Sequence, residues 1–254
     1  MINQETVNKL IEMKLTTMAE EFKAQMKNTS YAPLSFEERF SLIVDAEHTQ
    51  RTNNKLYRLI RNARFDQPQA SIEDINYKAG RTLNRSEILR LAACEYIEHH
   101  HNIIILGATG TGKSYLSCAL GMAACKKYYN TKYIRMPELL MELHEAHSTH
   151  MFRKLISNYN NVRLLIIDDW MLTKLTEVDA KLILEIVHAR HKKTSTIFCS
   201  QFPPEAWHQK IEEPATADAI LDRIVFDSYP INFNSGDNSP ECSMREVYGI
   251  NRKK

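Results

Sequence analysis

Eight consecutive residues, Gly107-Ala108-Thr109-Gly110-Thr111-Gly112-Lys113-Ser114, restrict this chain to a small set of folds. They follow the apolar run Asn102-Ile103-Ile104-Ile105-Leu106 and precede a helical pattern that opens at Tyr115. A G-x-x-x-x-G-K-[ST] stretch between a buried strand and a helix reads as a phosphate-binding loop. Glycines let the backbone curl so that successive N–H groups converge on phosphate oxygens, and the helix amino terminus adds partial positive charge. Lys113 then reaches the β- and γ-phosphates, the Ser114 hydroxyl completes a magnesium site, and Tyr115 joins the contacting first turn. The chain has only 7 glycines, yet three fall within these eight positions, so chance is a poor account of the match. ATP or GTP is the expected ligand.

A second motif supports the first. Val162-Arg163-Leu164-Leu165-Ile166-Ile167-Asp168-Asp169-Trp170 is an apolar run that ends in two acids. A buried strand would deliver Asp168 beside the phosphate loop to hold magnesium through water, and Asp169 to polarise the attacking water. The plainer alternative is that the two aspartates merely begin a turn.

The loop also dictates its surroundings. Short apolar runs alternate with helical patterns: Ile103–Leu106, a helix to about Tyr128, Lys132–Arg135, a helix after Pro137, Leu164–Ile167, Ser195–Ser200 and Tyr229–Phe233. Such alternation builds βαβ units and a mainly parallel sheet. Upstream, the first hundred residues hold one glycine, Gly80, and read as helix. Val7, Ile11, Leu15, Met18, Phe22 and Met26 recur at three- and four-residue steps, which predicts one apolar stripe on a helix. Ser35 and Glu38 have the spacing of a capping box at the start of a second helix, and a third is expected from about Asn84 to Glu98. The expected division is a small all-helical domain over residues 1–75 and an α/β domain, a parallel sheet flanked by helices, over 76–254.

Composition excludes several classes. With 43% apolar and 25% charged residues the chain suits a globular fold, and no run of 18 apolar residues is present to span a membrane. The amino terminus has no apolar core of the signal-peptide kind. Cys94, Cys118, Cys125, Cys199 and Cys242 are odd in number and scattered, which points to reduced thiols and a cytoplasmic setting rather than disulfides or zinc. His99-His100-His101 and the spaced His144, His147 and His150 lack metal-site patterns, and Trp170 and Trp207 read as packing residues.

The net charge of +2 says little, but its placement says more. Arg51, Lys55, Arg58, Arg61 and Arg64 recur at helical steps with no acid from His48 to Phe65. Such a face suits phosphate contacts that carry affinity without sequence information. Lys78 and Arg81, with Arg85 and Arg90, extend it, and Arg190, His191, Lys192 and Lys193 form a second cluster. A merely solvated helix face is the competing explanation.

Taken together these motifs resemble AAA+ ATPases, specifically the IstB/DnaC branch and, within it, the IstB-like transposition helper ATPases of insertion sequences. The resemblance covers nearly the whole chain. It includes Leu10-Ile11-Glu12-Met13-Lys14-Leu15-Thr16-Thr17-Met18-Ala19-Glu20, Ser200-Gln201 with Glu205-Ala206-Trp207-His208, Ala217-Asp218-Ala219-Ile220-Leu221-Asp222-Arg223-Ile224, and Ser243-Met244-Arg245. What it implies is ATP with Mg2+, bound between subunits of a homo-oligomer. Arg223 would be an arginine finger donated in trans, Arg245 a sensor-2-like arginine, and Ser200 or Gln201 the sensor-1 group. It further implies sequence-nonspecific binding of duplex DNA, a transposase of the same element as partner, and no membrane. AAA+ proteins more generally carry glutamate where Asp169 stands; aspartate is one methylene shorter, which bears on hydrolysis rate rather than on binding. The alternatives are a DnaC-like replicative helicase loader, a P-loop kinase acting on a small molecule, and a nucleotide-gated DNA-binding protein that hydrolyses almost nothing.

Overall fold

A computed structural model describes residues 2–77 and 83–233. The chain divides into two compact units, Met1–Arg58 and Leu59–Lys254.

The first unit is helical: α1 (Ile2–Glu12), α2 (Thr16–Lys27), a short 3-10 turn at Thr29–Tyr31, and α3 (Phe36–Ala63), which continues past Arg58. The stripe from Val7 to Met26 therefore lies on two helices rather than one. Lys14 takes a left-handed φ of 60° between them, while the N–H groups of Thr17 and Met18, left orphaned at the start of α2, both donate to Glu47 Oε2 at 3.1 Å. A carboxylate from α3 thus caps α2 where Leu15 offers no side-chain cap. Val7 and Ala19 are buried, whereas Ile11 and Met26 stay exposed. The capping box at α3 is present: Glu38 N–H donates to Ser35 Oγ (3.2 Å) and Ser35 N–H to Glu38 Oε2 (2.8 Å).

The second unit holds the remaining elements. The helix expected from Asn84 to Glu98 is broken into α4 (Arg85–Ala92), capped by Asn84, and α5 (Glu95–Glu98), because Cys94 takes φ 65°. Then follow β1 (Asn102–Leu106), α6 (Lys113–Lys126), β2 (Thr131–Arg135), α7 (Met136–Ser148), α8 (Phe152–Asn160), β3 (Leu164–Trp170), α9 (Glu177–Arg190), β4 (Ser195–Ser200), α10 (Pro204–His208), α11 (Pro214–Val225) and β5 (Ser228–Asn232). All five expected strands form, and β3 runs on through both aspartates to Trp170.

The sheet order is β2-β3-β4-β1-β5 and every pairing is parallel. Parallel strands need both faces covered, which is why the inner runs are apolar throughout. Ile103, Ile104 and Ile105, and Leu164 to Ile167, are almost wholly buried. Trp170 and Trp207 are fully buried, with Trp170 edge-on to both Phe198 (4.7 Å) and Trp207 (6.0 Å). Pro230 sits on the edge strand β5, where a missing N–H is tolerated. Because all strands point one way, the chain leaves each of them at the same edge, and in open α/β sheets ligands bind outside that carboxyl edge.

Candidate nucleotide site

The phosphate loop leaves β1 at that edge. Gly110 and Gly112 have φ of 85° and 102°, left-handed values that a side chain would strain, and Gly112 is the residue before the first turn of α6. Gly107 is needed for space: a Cβ there would lie 2.8 Å from both Phe233 Cβ and Thr111 Oγ1. Thr111 Oγ1 and Lys113 Nζ both donate to Ala108 O, at 2.9 and 2.7 Å, so the buried ammonium group curls over the loop. The first turn of α6 presents backbone N–H groups that have no partner within the helix, a ready anion site. Ser114 opens this turn half-buried, and its hydroxyl has no hydrogen-bond partner among the described residues. Tyr115 turns its hydroxyl elsewhere: it accepts from Ser71 N–H (3.2 Å) and donates to Ser71 O (3.4 Å).

The two aspartates come to the same edge. Asp168 is 4% exposed; Oδ2 accepts from the Tyr133 hydroxyl and Oδ1 from the Asp169 N–H, each at 2.8 Å. Asp169 has φ 54°, and the β3–β4 register shifts between Ile167 and Trp170. Consecutive strand residues normally point to opposite faces. This bulge redirects Asp169, so that its Oδ2 meets the guanidinium of Arg135 at 2.7 Å (Nη2) and 2.9 Å (Nε). The carboxylate holds the Arg135 pKa above its ordinary value, while burial and Asp168 push the Tyr133 hydroxyl upward, so both remain donors at neutral pH.

β4 lies between β1 and β3, which places Ser200 and Gln201 between the loop and the acids; Gly107 N–H donates to Ser200 O at 3.2 Å. The Ser200 hydroxyl is structurally committed. It donates to Trp170 O (2.9 Å) and accepts from Phe202 N–H and Trp207 Nε1–H (3.1 Å each). Gln201 is half-buried with no hydrogen bond to its amide among the described residues.

Arg223 is not brought to this cluster. It lies in the last turn of α11, and the chain then enters β5, whose Ser228 pairs with Asn102 at the start of β1. Its Nη1 donates to Ala219 O (2.7 Å), and it lines a small pocket with Asn102, Arg190, His191 and Thr196. That is the amino edge of the sheet, separated from the phosphate loop by the length of β1, roughly 17 Å at the usual rise per residue. Arg245, Lys78 and Arg81 lie outside the described residues.

The basic residues divide. Arg51, Lys55 and Arg58 are exposed on one face of α3, but Arg51 is already engaged: Nε reaches Glu47 Oε1 at 2.6 Å and Nη2 donates to Lys14 O at 3.0 Å. Arg61 and Arg64, also exposed, belong to the second unit, and Arg64 ends α3 with φ 55°. In the second cluster Lys192 and Lys193 are exposed, but Arg190 is unavailable to any ligand. It is 3% exposed and donates to Tyr159 O, Val162 O, Ser195 O and Thr196 Oγ1; burial lowers its pKa to about 9, which still leaves it charged at pH 7. Cys94, Cys118, Cys125 and Cys199 are buried free thiols, the first three pushed up to about 11 by burial.

Sequence reasoning missed Tyr133, Arg135 and Glu47. For the first two a signal existed: they stand two apart at the end of a strand in a parallel sheet, so they share a face at the ligand edge. Glu47 showed only an i,i+4 spacing to Arg51; the backbone groups it caps lie about thirty residues away and leave no local signal.

Residues 8–239 match the family described as IstB-like ATP binding protein. A Sinorhizobium fredii protein described as an insertion sequence ATP-binding protein is 37% identical over 234 residues, spanning 92% of this chain and 94% of its own length. The ATP-binding protein of insertion sequence IS1162 from Pseudomonas fluorescens is 36% identical over 203 residues, spanning 80% and 88%. Among solved structures, DnaI superposes with a TM-score of 0.57 at 22% identity, covering 65% of this chain and 92% of that one. The DnaC helicase loader gives 0.54 at 17% identity, covering 65% and 97%, and AMPPCP-bound DnaA from Aquifex aeolicus gives 0.53 at 21%, covering 65% and 50%. The chain is a member of the IstB-like ATP-binding protein family, with a P-loop core of five parallel strands preceded by a helical amino-terminal region.

Proposed function

We propose that this protein is an ATPase that assembles on duplex DNA, without sequence preference, and assists the transposase of an insertion sequence. Its ATP sites would form between copies of the chain. The observation that carries this reading is the position of Arg223 at the opposite edge of the sheet from the phosphate loop. A side chain cannot cross the sheet to its own loop, so a finger role requires a second copy, docked head to tail. The relatives' association with insertion sequences supports the transposition role.

Within one site we assign the following division of labour. Gly107 to Tyr115 cradle the phosphates through backbone N–H groups, and Lys113 exchanges the Ala108 carbonyl for phosphate oxygens. Ser114 and Asp168 fit a magnesium ion: a hydroxyl with no hydrogen-bond partner among the described residues, and a buried carboxylate whose two oxygens each hold one donor and keep a further lone pair. When bound, the ion neutralises charge on the phosphate oxygens. Asp169 would orient the attacking water through Oδ1, since Arg135 already holds its Oδ2. The Gln201 amide and Arg245 complete the γ-phosphate contacts. Lys55, Arg58, Arg61 and Arg64, with Lys78 and Arg81, contact DNA phosphates, and Arg51 supports that surface through Glu47.

The decisive experiment measures ATPase rate and particle size together, with ATP alone, with linear duplex and with single strands. Large particles that require both ATP and duplex are expected, and Lys113→Ala should abolish them. Preference for single strands would replace this reading with a helicase loader, and a monomer indifferent to DNA would replace it with a small-molecule kinase.

A further inference from the structure

Tyr133 stands on β2 with its ring filling the sheet face and 7% of its surface exposed. A phenylalanine would fill that space equally well, so packing does not account for the hydroxyl. A buried hydroxyl is costly unless it is hydrogen-bonded, and this one spends its bond on Asp168 Oδ2 at 2.8 Å. Its partner on the other oxygen is the Asp169 N–H, which lies where the β3–β4 register shifts. A carboxylate held on one oxygen can still rotate about its last torsion; held on both, its plane is set. The backbone bulge supplies one donor and the neighbouring strand the other.

We propose that Tyr133 is a positioning residue for the divalent cation: by fixing the plane of Asp168 it sets how tightly the site couples cation and nucleotide. The inference rests on the nucleotide-site reading above. Groups that orient a metal-side ligand typically contribute about 10–100-fold to metal affinity, and removing the phenolic oxygen alone leaves the ring in place.

The test is a titration of a fluorescent ATP analogue, first in EDTA and then against rising Mg2+, with the full chain, Tyr133→Phe and Lys113→Ala. In Tyr133→Phe the Mg2+ concentration for half-maximal tightening should rise by about tenfold or more, with unchanged affinity in EDTA and an unchanged circular dichroism spectrum. An unaltered Mg2+ midpoint overturns the proposal. So does an equal loss of affinity with and without Mg2+, which marks a merely structural role. If the unmodified chain fails to bind the analogue, or Lys113→Ala binds it normally, the nucleotide-site reading itself falls and takes this inference with it.

Discussion

Gly121 lies in the middle of α6, two turns beyond the phosphate loop, where helix propensity alone argues for alanine. Replacing a helix-interior glycine by alanine normally gains about 1 kcal/mol. Here a Cβ would stand 2.5 Å from Phe65 Cε1, 2.9 Å from Phe65 Cζ and 2.8 Å from Ile166 Cδ1. The isoleucine methyl is the end of a flexible chain and can shift, but the phenylalanine ring is bulkier and buried. Overpacking of this kind costs about 1–3 kcal/mol, and a buried ring met at 2.5 and 2.9 Å belongs at the upper end. The net expectation for Gly121→Ala is a loss of about 1–2 kcal/mol, or roughly 3–6 °C in Tm for a domain of this size. Thermal unfolding followed by circular dichroism measures it. The clash account further predicts that the same substitution in a Phe65→Leu background costs less, with coupling of at least about 0.5 kcal/mol. A rise in Tm, or an identical cost in both backgrounds, would refute the reasoning.

Arg223→Ala should leave nucleotide affinity near normal and lower hydrolysis by about a thousandfold; mixing it with Lys113→Ala should restore activity, and a mixture that stays inactive rules out a finger in trans. Lys55→Ala and Arg58→Ala should each reduce the salt dependence of duplex binding by about one unit of slope. Arg51→Ala should instead lower thermal stability, because it releases Glu47 and Lys14 O. Glu47 is held below its ordinary carboxylate value, first by the Arg51 hydrogen bond and further by the Met18 and Thr17 N–H groups. Its stabilisation is therefore complete above the unfolded value of 4.5 and is lost as pH falls through the lower folded value. Glu47→Gln should flatten Tm against pH in that acid range, and an unchanged acid slope counts against the cap.

Local chemistry made much of this protein legible in its residues. The phosphate loop was readable because its glycines suit backbone positions that side chains strain, as the left-handed Gly110 and Gly112 show. The five strands were readable because a doubly covered parallel sheet demands unbroken apolar runs. Where competition between distant groups decides, the residues alone were silent. The periodicity from Val7 to Met26 fits one helix, but Glu47 offers the start of α2 a cap and the chain breaks at Lys14. Arg190 sits in a basic run and reads as surface, yet four carbonyl and hydroxyl oxygens converge on it and bury it. Two adjacent aspartates imply opposite faces of a strand until the bulge at Asp169 turns one of them toward Arg135. Motif spacing is a local property, so the phosphate loop and the paired aspartates can be proposed as site residues from one segment each. Which groups meet depends on the packed sheet, because partners such as Tyr133 and Asp168 are joined by strand order and register, neither of which is written in any one segment.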